Sequence, residues 1–84
     1  MARTSAAQKL GKRLKLLRTE AGLTQEKLSI ATGLSQTYIS GVEGGTRNPS
    51  LKTLEKLAKA LRVKISDITN FDDYHIKDHS RFLR

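Results

Sequence analysis

Eighty-four residues with no cysteine allow a single domain, with neither disulfides nor thiolate-bound zinc to reinforce it. Leu, Ile, Val and Phe make up 21 of the 84, which excludes a disordered chain and permits a modest core burying about 60–65% of the unfolded surface. A net charge of +8 suits an anionic partner or a well-solvated surface, and a cytoplasmic protein is expected, since no apolar run nears the roughly 20 residues of a membrane span and no signal-peptide stretch opens the chain.

A first helix is predicted to begin at Ser5, where Ser5-Ala6-Ala7-Gln8 can form a capping box. Leu10, Leu14 and Leu17 recur at i, i+4 and i+7 as its buried stripe. Gly11 interrupts that stripe at about 1 kcal/mol relative to Ala, which is read as close packing against a neighbour. Gly22 ends the helix as a left-handed cap.

Residues 25–44, QEKLSIATGLSQTYISGVEG, read as two short helices about a glycine turn. Thr24 and Ser35 are their N-caps, neither with Glu or Gln three residues on. Leu28 and Thr32 mark the inner side of the first, Gly33 makes the turn, and Leu34, Ile39 and Val42 hold the second down. One face of that second helix is left polar and pointing away from the core, a shape that fits the major groove of B-DNA. Residues 44–50, GGTRNPS, form the clearest loop and end in a cap at Ser50. A fourth helix follows with Leu51, Leu54, Leu57, Ala58 and Leu61 on one face. Val63, Ile65 and Ile68 then mark a fifth, capped by Ser66. From about residue 69 the periodicity is lost, and residues 69–84 receive no assignment.

On a wheel of about 100° per residue, the buried direction of the third helix lies midway between Ile39 and Val42. Thr37 points about 170° from it, Ser40 and Gly41 about 130°, and Gln36 about 90°. Gln36, Thr37 and Ser40 are therefore the candidate base readers. Gln can bond adenine N6 and N7 together, and a Thr methyl can pack on the thymine methyl. Solvated polar residues are the plain alternative. Tyr38, about 70° from the buried direction, can lay its ring over the core edge while its hydroxyl reaches a phosphate. Gly41 has two readings, close approach to the groove floor or close packing within the monomer.

Charge is unevenly placed. Residues 1–22 carry +5, residues 23–50 zero, residues 51–70 +3 and residues 71–84 zero. Basic side chains on the first and fourth helices thus flank a near-neutral reading element, an arrangement suited to phosphates gripped at the sides. Lysines that merely solvate two helix faces would look the same.

The stretch LTQEKLSIATGLSQTYISGVEGGTRNPSLKTLEKLAKAL, residues 23–61, resembles the Xre/Cro-like helix-turn-helix repressors, and with the preceding helix the resemblance covers residues 10–68. It implies an all-α fold, a single five-helix lambda-repressor-like domain with a core of about residues 6–68 and a short tail. Ser29 stands where such motifs usually carry Ala, and Thr32 where an aliphatic is more usual, which weakens one core contact. The run TYISGVEGGTRNPS further resembles the controller proteins of restriction–modification systems.

That resemblance implies a homodimer on a pseudo-palindromic double-stranded DNA operator, regulating transcription, with RNA polymerase as a further partner. It places Gln25 on a phosphate while bracing the reading helix, and Arg47 on the DNA backbone. It also pairs Glu43 with Arg18 of the first helix as a partly buried ion pair. The dimer contact is expected from Ile65 and Ile68, with residues 69–84 contributing, because the domain is too small to bury that apolar surface alone.

Three other readings compete. His75 and His79, spaced i, i+4 among aspartates, could hold a metal if helical, yet the segment lacks an apolar frame and no nucleophile motif or phosphate-binding glycine loop appears. No enzyme, metal or cofactor is therefore expected. An antitoxin or phage-type repressor would keep the DNA-binding domain and use residues 69–84 for a protein partner. RNA binding is disfavoured by the scarcity of aromatics.

Overall fold

The computed structural model describes residues 5–70, which form the helices α1 (Ala6–Glu20), α2 (Gln25–Thr32), α3 (Gln36–Glu43), α4 (Leu51–Leu61) and α5 (Ile65–Thr69). Each of the first four begins on a hydroxyl. Ser5 accepts from the Gln8 amide while the Gln8 side chain accepts from the Ser5 amide, completing the capping box. Thr24, Ser35 and Ser50 accept from the amides of Lys27, Tyr38 and Thr53. Helix α5 departs from expectation. Its cap position is Lys64, whose amide donates to the Asp67 carboxylate at 2.8 Å, so Ser66 lies inside the helix and does not cap it. An acid three residues into a helix can satisfy an end amide as well as a hydroxyl at the cap can.

The turn between α2 and α3 is tied by side chains as well as by Gly33, which sits at φ +79°. Thr32 Oγ1 donates to the Leu28 carbonyl at 2.8 Å and accepts from the Leu34 amide at 3.2 Å. Ser29 Oγ donates to the Leu34 carbonyl at 2.5 Å. The two residues that depart from the usual aliphatic pattern thus carry turn hydrogen bonds that an Ala or an aliphatic would leave unmade.

Helix α1 packs on α3 and α5, α2 on α3 and α4, and α4 on α5. Leu14, Leu28, Ile39, Val42, Leu57 and Ile68 are completely enclosed at their centre. Leu10, Leu17, Leu23, Leu34 and Ile65 pack around them, partly buried. Two expectations need correcting here. Leu51, assigned to the inner face of α4, is 66% exposed, because the first residue of that helix projects past the end of the core. Ile68, assigned to a dimer contact, is 0% exposed within the single chain, so it fills the core and has no surface to offer a partner. The Arg13 Nε hydrogen bond to the Asp67 carbonyl, 2.7 Å, fastens α5 to α1 and keeps Ile68 there. Ile65 keeps part of its surface.

Two features join α1 to α3. Gly11 is buried, and a Cβ there would lie 2.4 Å from the carbonyl oxygens of both Val42 and Glu43. Arg18 forms a bidentate pair with Glu43, Nε to Oε2 at 2.5 Å and Nη2 to Oε1 at 3.0 Å. Its remaining nitrogen, Nη1, donates to the Leu23 carbonyl at 2.8 Å. The pair is more enclosed than expected, with side chains 9% and 4% exposed. Hydrogen bonding to the Glu43 carboxylate holds the Arg18 guanidinium above its ordinary pKa, against the opposing effect of burial.

Removing either partner strands a buried charge. Arg18→Ala and Glu43→Ala should each cost about 3–5 kcal/mol in urea unfolding, against less than about 0.5 kcal/mol for the exposed Lys15→Ala. The double variant should fall well short of the sum, and additive losses would rule the pairing out. Gly11→Ala should lower stability by about 1–3 kcal/mol, although Ala is the better helix former by about 1 kcal/mol, because the neighbour it meets is backbone. A rise in melting temperature would contradict that close approach.

Candidate nucleic-acid interface

Helix α3 is eight residues long and is anchored on one side only. Ile39 and Val42 face the core, and their spacing leaves Gln36, Thr37 and Ser40 exposed on the far side. Together with Gln25, the first residue of α2, these three line one shallow open depression. Four uncharged polar side chains from two helices thus share one surface. A helix presented so, about 10–12 Å across with its side chains, matches the width of the major groove.

The side chains around this surface are held by the core beneath it. Gln25 Nε2 donates to Glu43 Oε1 at 3.0 Å, the same oxygen that accepts from Arg18. The start of α2 is thereby braced against the end of α3, and Gln25 sits as the outermost member of a chain running from the Leu23 carbonyl through Arg18 and Glu43. Its partner, Glu43, is 18 residues away. No local pattern in the sequence signals that bond.

Tyr38 is half-buried and packs against the core cluster. The Arg47 guanidinium lies 5.8 Å from the centre of its ring, within cation–π range. The loop after α3 folds back on the helix to put it there: the Gly41 carbonyl accepts from the amides of Thr46 and Arg47 and from Thr46 Oγ1. On the other flank of α3 a second depression is lined by Gln8, Lys12, Glu43 and Gly44. Gly45, at φ +83°, closes that side, and a Cβ on it would come within 2.7 Å of Gln8 Cγ. This contact is not among the sequence expectations, although the paired glycines at 44 and 45 are a visible sign of it.

The described residues contain no group of three or more His, Cys, Asp or Glu placed to hold a metal ion. The possible ligands His75 and His79 lie outside them, as does residues 71–84 of the segment proposed for dimerisation. None of the described helices is long and apolar enough to cross a membrane.

Comparison with known proteins agrees with this geometry. Residues 14–68 match the helix-turn-helix family model HTH_3. The control protein C.BamHI of Bacillus amyloliquefaciens is 42% identical over 62 residues, 73% of this chain and 76% of that protein. The restriction–modification controller protein C.AhdI of Aeromonas hydrophila superposes with a TM-score of 0.72 at 45% identity, over 74% of this chain and 94% of the other. The wild-type restriction–modification controller protein C.Esp1396I gives a TM-score of 0.75 at 33% identity, over 89% and 99%. The all-helical fold, the outward polar face of α3 and these matches lead to one conclusion: the chain belongs to the HTH_3 helix-turn-helix family and is a DNA-binding transcriptional regulator.

Proposed function

We propose that this regulator is a restriction–modification controller that binds a pseudo-palindromic operator as a homodimer. One observation carries the reading of the site: Gln25, Gln36, Thr37 and Ser40 share an open surface on the side of α3 opposite its buried Ile39 and Val42. With α3 in the major groove, Gln36, Thr37 and Ser40 face the base edges, and Gln25, Tyr38 and Arg47 stand at the phosphate walls. The likeness to C.BamHI, C.AhdI and C.Esp1396I supports the controller assignment. Such a protein works on DNA inside a prokaryotic cell and meets RNA polymerase at the promoter it controls. Ile65 and residues 69–84 supply the dimer contact in this reading, without Ile68.

Reading and gripping should fail differently. The probe is a duplex that the wild-type protein selects from a random library, compared with a scrambled duplex of equal length. Gln36→Ala should weaken binding to the selected duplex by about 1–3 kcal/mol and relax preference at one position per half-site, with little effect on the scrambled one. Arg47→Ala should weaken both and reduce the slope of log K against log salt by about 1 per subunit. Equal losses on the two duplexes for Gln36→Ala would mean that α3 does not read bases through this side chain.

Dimerisation has its own test. The selected duplex should contain two half-sites about 10–10.5 bp apart, or a multiple of that spacing, and bind two copies of the chain. Sedimentation giving a monomer at micromolar concentration, with one copy bound per duplex, would overturn the dimer.

A further inference from the structure

Helix α3 carries Gly41 in its interior, where Gly costs about as much as any ordinary residue can relative to Ala. The structure shows what occupies the space. A Cβ on Gly41 would lie 2.6 Å from Arg47 Cγ, 3.3 Å from Thr46 Oγ1 and 3.6 Å from Arg47 Cβ. The Arg47 stem therefore runs directly over the Gly41 backbone on its way to the Tyr38 ring, where the guanidinium lies 5.8 Å from the centroid. The Gly41 carbonyl accepts from the Thr46 amide at 2.9 Å, the Arg47 amide at 3.2 Å and Thr46 Oγ1 at 3.1 Å.

From this we infer that Gly41 is a positioning residue for Arg47: its missing side chain is the channel that lets the loop arginine lie flat across the reading helix and present its guanidinium beside the groove. The inference rests on the assignment of Arg47 to a phosphate. The contact with Cγ lies near the root of the side chain, so an added methyl cannot be avoided by moving the guanidinium alone. It turns Arg47 about its first side-chain torsion, away from Tyr38. An arginine held over an aromatic face loses little freedom on binding, whereas one swung into solvent has to be ordered by the DNA itself. Clearance from the groove floor is the rival explanation of the glycine, and the two differ in a measurable way.

The experiment is a double-mutant cycle of Gly41→Ala and Arg47→Ala, read as affinity for the selected and scrambled duplexes and as melting temperature without DNA. Arg47→Ala should weaken binding to both duplexes roughly tenfold for each subunit, the loss expected for one charge-assisted hydrogen bond in each. Gly41→Ala should weaken both by most of that factor, while its melting temperature stays level or rises by several degrees through better helix propensity. In the Arg47→Ala background the same substitution should cost no further affinity. A loss of equal size in both backgrounds would assign the glycine to groove clearance and overturn the inference. So would unaltered binding by Gly41→Ala, or a collapse of its melting temperature, which would make Gly41 a packing residue. If Arg47→Ala itself binds both duplexes normally, the phosphate assignment fails first and the inference falls with it.

Discussion

A guanidinium buried in a domain of this size is tolerated only where each of its nitrogens has a partner, and Arg18 meets that condition through Glu43 and the Leu23 carbonyl. The placement along both helices also matters. Arg18 lies in the last turn of α1, where the helix dipole favours a cation. Glu43 is the last residue of α3, where the dipole disfavours an anion, so the guanidinium offsets a cost that α3 would otherwise carry alone. Stability and the geometry of the candidate DNA-binding surface thus meet in one carboxylate. Both of its oxygens accept from Arg18, which fixes α1, and Oε1 accepts from Gln25 as well.

Helix α3 depends on such ties because it is short. Eight residues form little helix in isolation, so α2 and α3 owe their order to packing and to their end groups. Gly11 lets the α1 backbone touch the end of α3, while Ser29 and Thr32 fix the turn at its start. Held at both ends and along its inner face, α3 leaves Gln36, Thr37 and Ser40 exposed, which suits the base contacts proposed for them. Contacts that carry sequence information need a rigid platform more than they need rigid side chains. The groups assigned to phosphates are the ones restrained, Gln25 by Glu43 and Arg47 by Tyr38 and the Gly41 channel. In the proposed binding mode, pre-ordering those groups lowers the entropy lost on association.

Local chemistry made much of this legible from the residues alone. A cap joins groups three residues apart, so Ser5, Thr24, Ser35 and Ser50 announce four helix starts wherever the rest of the chain goes. The outward face of α3 followed from the spacing of Ile39 and Val42, because helical geometry turns that spacing into a direction. Position in a helix is weaker information at its ends, where expectation and structure part. Leu51 has the right phase for the core but lies beyond it, and Asp67 took the capping task assigned to Ser66.

Tertiary structure alone decided which surfaces and partners those elements would find. Ile68 looks like spare apolar surface until α5 folds against α1, where Arg13 reaches across 54 residues to hold it. The Arg18–Glu43 pair was implied by resemblance, but its depth and its third member, Gln25, depend on α1, α2 and α3 converging at one point. Gly41 is compatible with two roles on sequence alone, and only the tertiary structure lays the Arg47 stem over it. The helices, their caps and their faces are set by interactions within about one turn of chain, which the order of residues encodes directly. Contacts spanning 18, 25 and 54 residues depend on how the chain returns on itself, and no local spacing records that path.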